Sequence, residues 1–247
     1  EEAFNVLNIV SQERKTLRIS GNDFIVIGAL KGTLILENMT KLQRRAKYQD
    51  KSLEESIQRN LSSFGFTAED FSGDWTVLPM NKGTTLDDPS LDLCSADYQS
   101  EREREARRQV VAVKQGTPYV FLSSEVVKYR SVDAATSALQ ELKDRFRKCI
   151  DNGGGTERSG NFIKYKFLEL PKINPGLVKE NSRVIAYAQI GEGDSLRTLL
   201  AIYQFNGPIF SGLYVVRDKS SAFSLEEVTR WIDVARVLGQ RLLKIRT

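Results

Sequence analysis

Two thiol-bearing residues, Cys94 and Cys149, stand in a chain of 247 residues that contains no histidine. That absence removes the commonest general base, the commonest neutral metal ligand and every triad built on imidazole. Two cysteines cannot make a four-thiolate zinc site within one chain, and a site built from carboxylates alone would have to hold a hard cation. No EF-hand spacing occurs. Acids do adjoin one another at Glu54/Glu55, Asp87/Asp88 and Glu226/Glu227, but glycosidase chemistry needs two carboxyls facing each other across a cleft, which adjacency does not supply. Glu55 and Glu227 already have a reading as helix-cap partners. With no Gly-x-Ser-x-Gly elbow either, serine hydrolysis has no anchor. The residues therefore predict no catalytic set, no metal and no cofactor.

The cysteine pair has three readings: a disulfide, two buried free thiols, or a catalytic thiol with a spectator. An even count without Cys-x-x-Cys spacing favours the bridge, as does a second cysteine closing a helix that packs near the loop of the first. Free buried thiols are the competing reading, and catalysis would lack its usual histidine partner. A bridge would imply an oxidising compartment. For ligand binding, Tyr98 beside the Arg107-Arg108 pair is the suggestive cluster, since paired guanidiniums can hold an anion; the plainer reading is a solvated charged face. Trp75, Tyr98, Tyr129 and Trp231 are candidate cleft aromatics, although Trp231 falls on the core stripe of its helix.

The elements that would position these groups follow from periodicity. Thr16–Ser20, Phe24–Leu30 and Thr33–Glu37 read as a meander, and a capping box of Ser52 and Glu55 opens a helix that Gly65 ends. Residues 67–89 read as irregular. Strands are expected at Gln109–Lys114 and Tyr119–Arg130, then a helix capped by Ser131 with Ala135, Leu139, Leu142 and Phe146 on one face. Gly153-Gly154-Gly155 follows a helix and lacks the lysine of a phosphate loop, so it reads as a flexible connection. Four further strands, Phe162–Leu168, Arg183–Ile190, Leu196–Phe205 and Pro208–Arg217, make an antiparallel order, with Asn206-Gly207 as a turn whose two central residues would need positive φ. Ser224 and Glu227 cap a long terminal helix whose Val228, Trp231, Ile232, Ala235, Leu238 and Leu242 should cover one face of the sheet.

Composition narrows the classes. The formal charge is +4, from 36 basic and 32 acidic residues, and the densest cluster, residues 101–108, alternates in sign, which argues against a nucleic-acid partner. The longest apolar stretch, residues 24–36, is broken by Lys31 and two glycines and is too short for a membrane span. The chain begins Glu-Glu-Ala, which fits a processed secreted protein or a trimmed expression product alike.

The run from Phe66 to Trp75, Leu91-Asp-Leu-Cys94, Tyr98 with Ser100-Glu101, and Ala106-Arg-Arg-Gln-Val110 resembles a family of actinobacterial cell-surface lipoproteins. Those proteins are similar to the extracellular sensor domain of mycobacterial serine/threonine kinases. The resemblance continues through Ser124 to Arg130, Asp133-Ala-Ala135, the cysteine at 149, Gly212-Leu-Tyr-Val215 and residues 238–242. It spans about residues 66–243 and implies an envelope location, a paired-cysteine α+β sensor fold, and no catalytic activity. Residues 1–50 have no counterpart in it.

The expectation is an α+β protein: an antiparallel sheet with flanking helices, a long C-terminal helix packed on the sheet, and one disulfide. Residues 1–50 form a β-rich extension and 51–247 a sensor-like domain. The expected role is a non-enzymatic extracytoplasmic module, secreted or on the cell surface and membrane-tethered in the full-length protein, that binds a small molecule or envelope polymer. The competing roles are a histidine-free enzyme using paired carboxylates or a hard cation, and a cytosolic scaffolding protein.

Overall fold

A computed structural model of the chain describes residues 60–170, 178–218 and 222–244 in full, and the strand residues within 16–38 by their backbone. Two compact units divide it, Glu1–Ser56 and Ile57–Thr247. In the first, β1 (Thr16–Ile19), β2 (Asn22–Leu30) and β3 (Thr33–Asn38) form an antiparallel meander, with a register shift between Val26 and Gly28. Most of the expected helix that opens at Ser52 lies outside the described residues, which pick it up in its last turn before Gly65.

The second unit is built on one sheet of eight described strands in the order β4-β5-β6-β11-β10-β9-β8-β7, antiparallel throughout. The strands are β4 (Thr76–Pro79), β5 (Arg104–Val113), β6 (Tyr119–Tyr129), β7 (Gly154–Thr156), β8 (Phe162–Phe167), β9 (Arg183–Ile190), β10 (Arg197–Asn206) and β11 (Ile209–Asp218). Side chains alternate across a strand, so the central strands carry two apolar sets. Ala201, Tyr203, Phe205, Phe210 and Tyr214 point one way, against Ala135, Ala138 and Leu142 of helix α1 (Val132–Asn152). Leu200, Ile202, Leu213 and Val215 point the other, against Val228, Trp231, Ile232, Ala235 and Leu238 of helix α2 (Leu225–Leu243). The sheet is thus the middle of three layers.

Both helices start where their caps predict. Ser131 Oγ accepts from the Ala134 N–H at 3.0 Å, and Ser224 with Glu227 closes a full capping box. Helix α2 settles closely on β10 at Gly239, where a Cβ would meet Gln204 Oε1 at 2.5 Å. The same amide donates to Ala235 O at 2.8 Å. Among the described residues no helix is both long and apolar enough to span a membrane.

Four expectations shift. The stretch 67–89 is not wholly irregular, because Thr76–Pro79 pairs with β5 as an edge strand. Strand β5 begins at Arg104, five residues before the expected Gln109, because buried polar side chains at 104 and 107 replace the apolar alternation that marks a strand. The three glycines are no loose connection: Gly153 caps α1 with φ +67, and Gly154 and Gly155 enter β7. A Cβ on Gly155 would overlap the Cys94 carbonyl, so that strand needs the missing side chain. Finally, β10 and β11 do form the expected hairpin, but Asn206 pairs with Ile209, which leaves Gly207-Pro208 as the turn. Only Gly207 has a positive φ, at +55, so one central position and not two takes the conformation that glycine favours.

Candidate functional site

Cys94 and Cys149 form a disulfide with their Cα atoms 6.0 Å apart, a separation ordinary for such bridges. Cys94 sits in a tight turn with φ +66, followed by Ser95 at +54. Left-handed backbone is costly for residues with a Cβ. The Tyr98 hydroxyl, donating to Leu93 O at 2.9 Å, and the bridge hold the turn against the end of α1.

The three residues singled out for anion binding do not converge. Tyr98 is buried in the α1-side core. Arg107 and Arg108 are strand neighbours and therefore face opposite ways. On the α1 side, Arg107 Nε donates to Glu125 Oε1, its Nη2 donates to Gln109 Oε1 at 2.6 Å, and its Nη1 reaches the carbonyls of Lys82 and Thr85. Only 4% of Arg107 and 2% of Glu125 is exposed. Ser90 Oγ donates to Glu125 at 2.7 Å and Tyr214 OH at 3.3 Å. Gly212, opposite Glu125 in the ladder, leaves the space that the Tyr214 ring fills. One turn along, Arg104 pairs with Glu101 at 3.1 Å and donates to the carbonyls of Leu86 and Asp88. The two arginines thereby fasten the 82–92 segment over the sheet.

Burial pushes the Glu125 carboxyl up to about 7 against the pull of Arg107, and likewise holds Glu101 above its ordinary value. Perturbed carboxyls can mark catalytic sites. Here the hydrogen bonds and ion pairs that Glu125 and Glu101 make are structural closures, and the neighbouring Asp92 carboxylate, itself pushed up to about 6 by burial, adds like-charge repulsion at Glu125. Among the described residues, no group of three or more Cys, Asp and Glu side chains converges as a metal site.

The other side of the sheet holds a groove of about 1260 Å³ between α2, the 70–75 segment and the β5–β6 turn. Trp231 forms its floor, with ring centroids of Tyr119 at 5.1 Å, Phe71 at 6.2 Å and Trp75 at 6.2 Å. Lys114 Nζ lies 5.9 Å from the Trp75 ring centre, within the range of a cation–π contact. Glu227 anchors one wall, accepting from Tyr119 OH at 2.9 Å and Arg217 at 2.6 Å. Burial and that carboxylate hold the Tyr119 phenol above its ordinary value, so it stays a donor. Of the candidate aromatics, Trp75 and Trp231 meet in this groove, whereas Tyr98 and Tyr129 lie in the α1-side core. Phe71 and Tyr119 were not legible as groove residues, because only the fold brings positions 71, 119 and 231 together.

A second, smaller cavity, of about 340 Å³, opens between the 61–68 segment and β4, β5 and β6 on the same side of the sheet. Arg108 and Ser124 line it.

The fold is similar to that in the crystal structure of the extracellular domain of PknH from Mycobacterium tuberculosis. The match has a TM-score of 0.47 and 11% sequence identity, and it covers 74% of this chain and 96% of that one. No family model matches the sequence, and no curated protein does.

Proposed function

We propose that this chain is an extracytoplasmic, sensor-like binding module that works without catalysis and seats its ligand in the groove floored by Trp231. The observation that carries the reading is the groove itself: four aromatic side chains in mutual contact under a rim of Lys114, Glu226, Arg230 and Asp233. Concave, mostly apolar sites with a few placed polar groups are where proteins bind organic ligands, and volumes of about 300–1,000 Å³ suffice for small ones. A small molecule or one end of an envelope polymer fits that description. Binding without turnover is supported by the lack of histidine in the sequence and by the engagement of Glu125, Glu101 and Glu227 in closures of the fold. An extracytoplasmic site is supported by the disulfide, since cytosolic thiol pools keep such pairs reduced.

The chain has two tryptophans, and both line this groove, so intrinsic fluorescence reports its occupancy. Titration with soluble peptidoglycan fragments and a small-molecule panel should shift that emission saturably. Lys114→Ala and Arg230→Ala at the rim should weaken the shift while leaving thermal unfolding unchanged. Turnover of a panel member, or binding that leaves both tryptophans silent, would overturn the reading.

A further inference from the structure

Arg108, half-buried, differs from four other arginines inside the fold. Arg104, Arg107, Arg217 and Arg241 each face a carboxylate, of Glu101, Glu125, Glu227 and Asp70 respectively. Among the described residues Arg108 has neither an ion-pair nor a hydrogen-bond partner, and its Nε is buried. Ser124, only 1% exposed, has a buried Oγ that also lacks a partner. Both line the 340 Å³ cavity. In the ladder Arg108 stands opposite Val126 and Val110 opposite Ser124, so the guanidinium and the hydroxyl are diagonal neighbours on one face, a separation that long side chains bridge.

Unpaired buried donors are rare, and each one in a native fold needs an account. The ordinary remedy on this face is visible nearby: Asp70, two residues beyond the cavity wall at Ala68, is fully engaged by Arg241 at 2.6 and 2.8 Å. Arg241 also donates to Gly65 O at 2.6 Å. These bonds fix the 61–68 wall and leave Asp70 unavailable to Arg108. Apart from Ser62 and Thr67 on the 61–68 wall, the remaining lining is apolar, with Leu61, Phe66, Val77, Val110 and Val126 among it. Gly65 lies directly against this face, since a Cβ there would be in ordinary contact with Ser124 Oγ at 3.7 Å.

We infer that this cavity is a binding site, separate from the Trp231 groove, for a small monocarboxylate with an apolar body. Its carboxylate accepts from Arg108 and from Ser124 Oγ, and its hydrocarbon part lies against the valines and Phe66. The volume, near the lower end of organic-ligand sites, sets the size. The Arg108 guanidinium, which meets no carboxylate among the described residues, sets the charge.

Hexanoate is a suitable probe, with hexanamide as its uncharged counterpart and acetate as its headgroup alone, each titrated by calorimetry into the intact chain. Hexanoate should bind one to one, and hexanamide and acetate at least about tenfold more weakly, a difference worth about 1.4 kcal/mol. Arg108→Met should abolish hexanoate binding while melting at or above the wild-type temperature, because it removes an unpaired charge; Ser124→Ala should weaken binding several-fold. No measurable hexanoate binding, equal binding of acetate, or hexanoate affinity retained in Arg108→Met would overturn the proposal, as would an Arg108→Met chain that fails to fold. Tryptophan emission should stay constant throughout, which separates this result from that of the groove.

Discussion

The same strands bury polar groups on opposite terms on their two sides. Toward α1, Arg107, Gln109, Ser123 and Glu125 form a closed chain in which the charged groups all have partners, and among the described residues Tyr129 OH and Ser100 Oγ are unpaired. Toward α2, Arg108 Nε, Ser124 Oγ, Ser211 Oγ and Trp231 Nε1 are buried and unpaired, on or against the same β5, β6 and β11. A buried polar group left unpaired costs free energy that a paired one does not. The α1 side is therefore built for closure, with a covalent bridge in addition. The α2 side keeps unspent hydrogen-bonding capacity beside both of its cavities.

Breaking the closed side should have the largest effect. The bridge spans a sequence separation of 55, for which the chain-entropy account gives about 4 kcal/mol of stabilisation at 25 °C. Cys94→Ala with Cys149→Ala should lower the urea unfolding free energy by about that amount, a large share of the ~5–15 kcal/mol typical of a domain. The folded-state tryptophan emission should not change, because both indoles lie on the α2 side. A loss under about 1 kcal/mol would mean that the loop from 94 to 149 is held as well by its non-covalent contacts.

Much of this architecture was readable from the sequence, and what was unreadable has a common cause. Helices α1 and α2 announce themselves through Ser131, Ser224 and Glu227 and an apolar stripe, all local signals. Strands β8 to β11 do so through runs of branched and aromatic residues. The start of β5 was hidden because Arg104 and Arg107 look like surface charge until Glu101 and Glu125 are placed beside them, and Glu125 is 18 residues from Arg107. Tyr98, Arg107 and Arg108 seemed one cluster because they are close in sequence. A strand separates 107 from 108 by the thickness of the sheet, a consequence of its two-residue period. The groove was unreadable for the same reason: Tyr119 meets Glu227 across 108 positions.

The closed network should also set a pH dependence. Glu125 titrates near 7 in the folded chain because burial disfavours its charge, well above its ordinary value of 4.5. The folded state therefore holds a proton that the unfolded chain releases. The resulting stability is complete below about pH 4.5 and is lost as pH rises through about 7, by at most about 3 kcal/mol. Arg107 stays held after protonation, because Lys82 O, Thr85 O and Gln109 Oε1 still accept from it. Unfolding free energies measured at steps between pH 4.5 and 8 should fall in the wild type and fall less in Glu125→Gln. A residual slope should persist from Asp92, pushed up to about 6, and from Glu101, both of which burial shifts in the same direction. Identical slopes in the two proteins would place the titration elsewhere.

The smallest effect tests the contrast most directly, because it makes the same change on each side. Ser123 and Ser211 are both buried, 0% and 1% exposed, and both lie within strands. Ser123 Oγ accepts from Gln109 Nε2 at 3.0 Å and donates to Val110 O at 3.0 Å; Ser211 Oγ does neither. Alanine at 123 strands the Gln109 amide and should cost about 1–3 kcal/mol, whereas alanine at 211 removes an unmatched hydroxyl and should be neutral or slightly stabilising. Chemical denaturation of the two variants side by side measures the difference. If Ser211→Ala proved as costly as Ser123→Ala, its hydroxyl would have a partner in solution, and the two sides of the sheet would no longer differ in the way that leaves Arg108 and Ser124 available to a ligand.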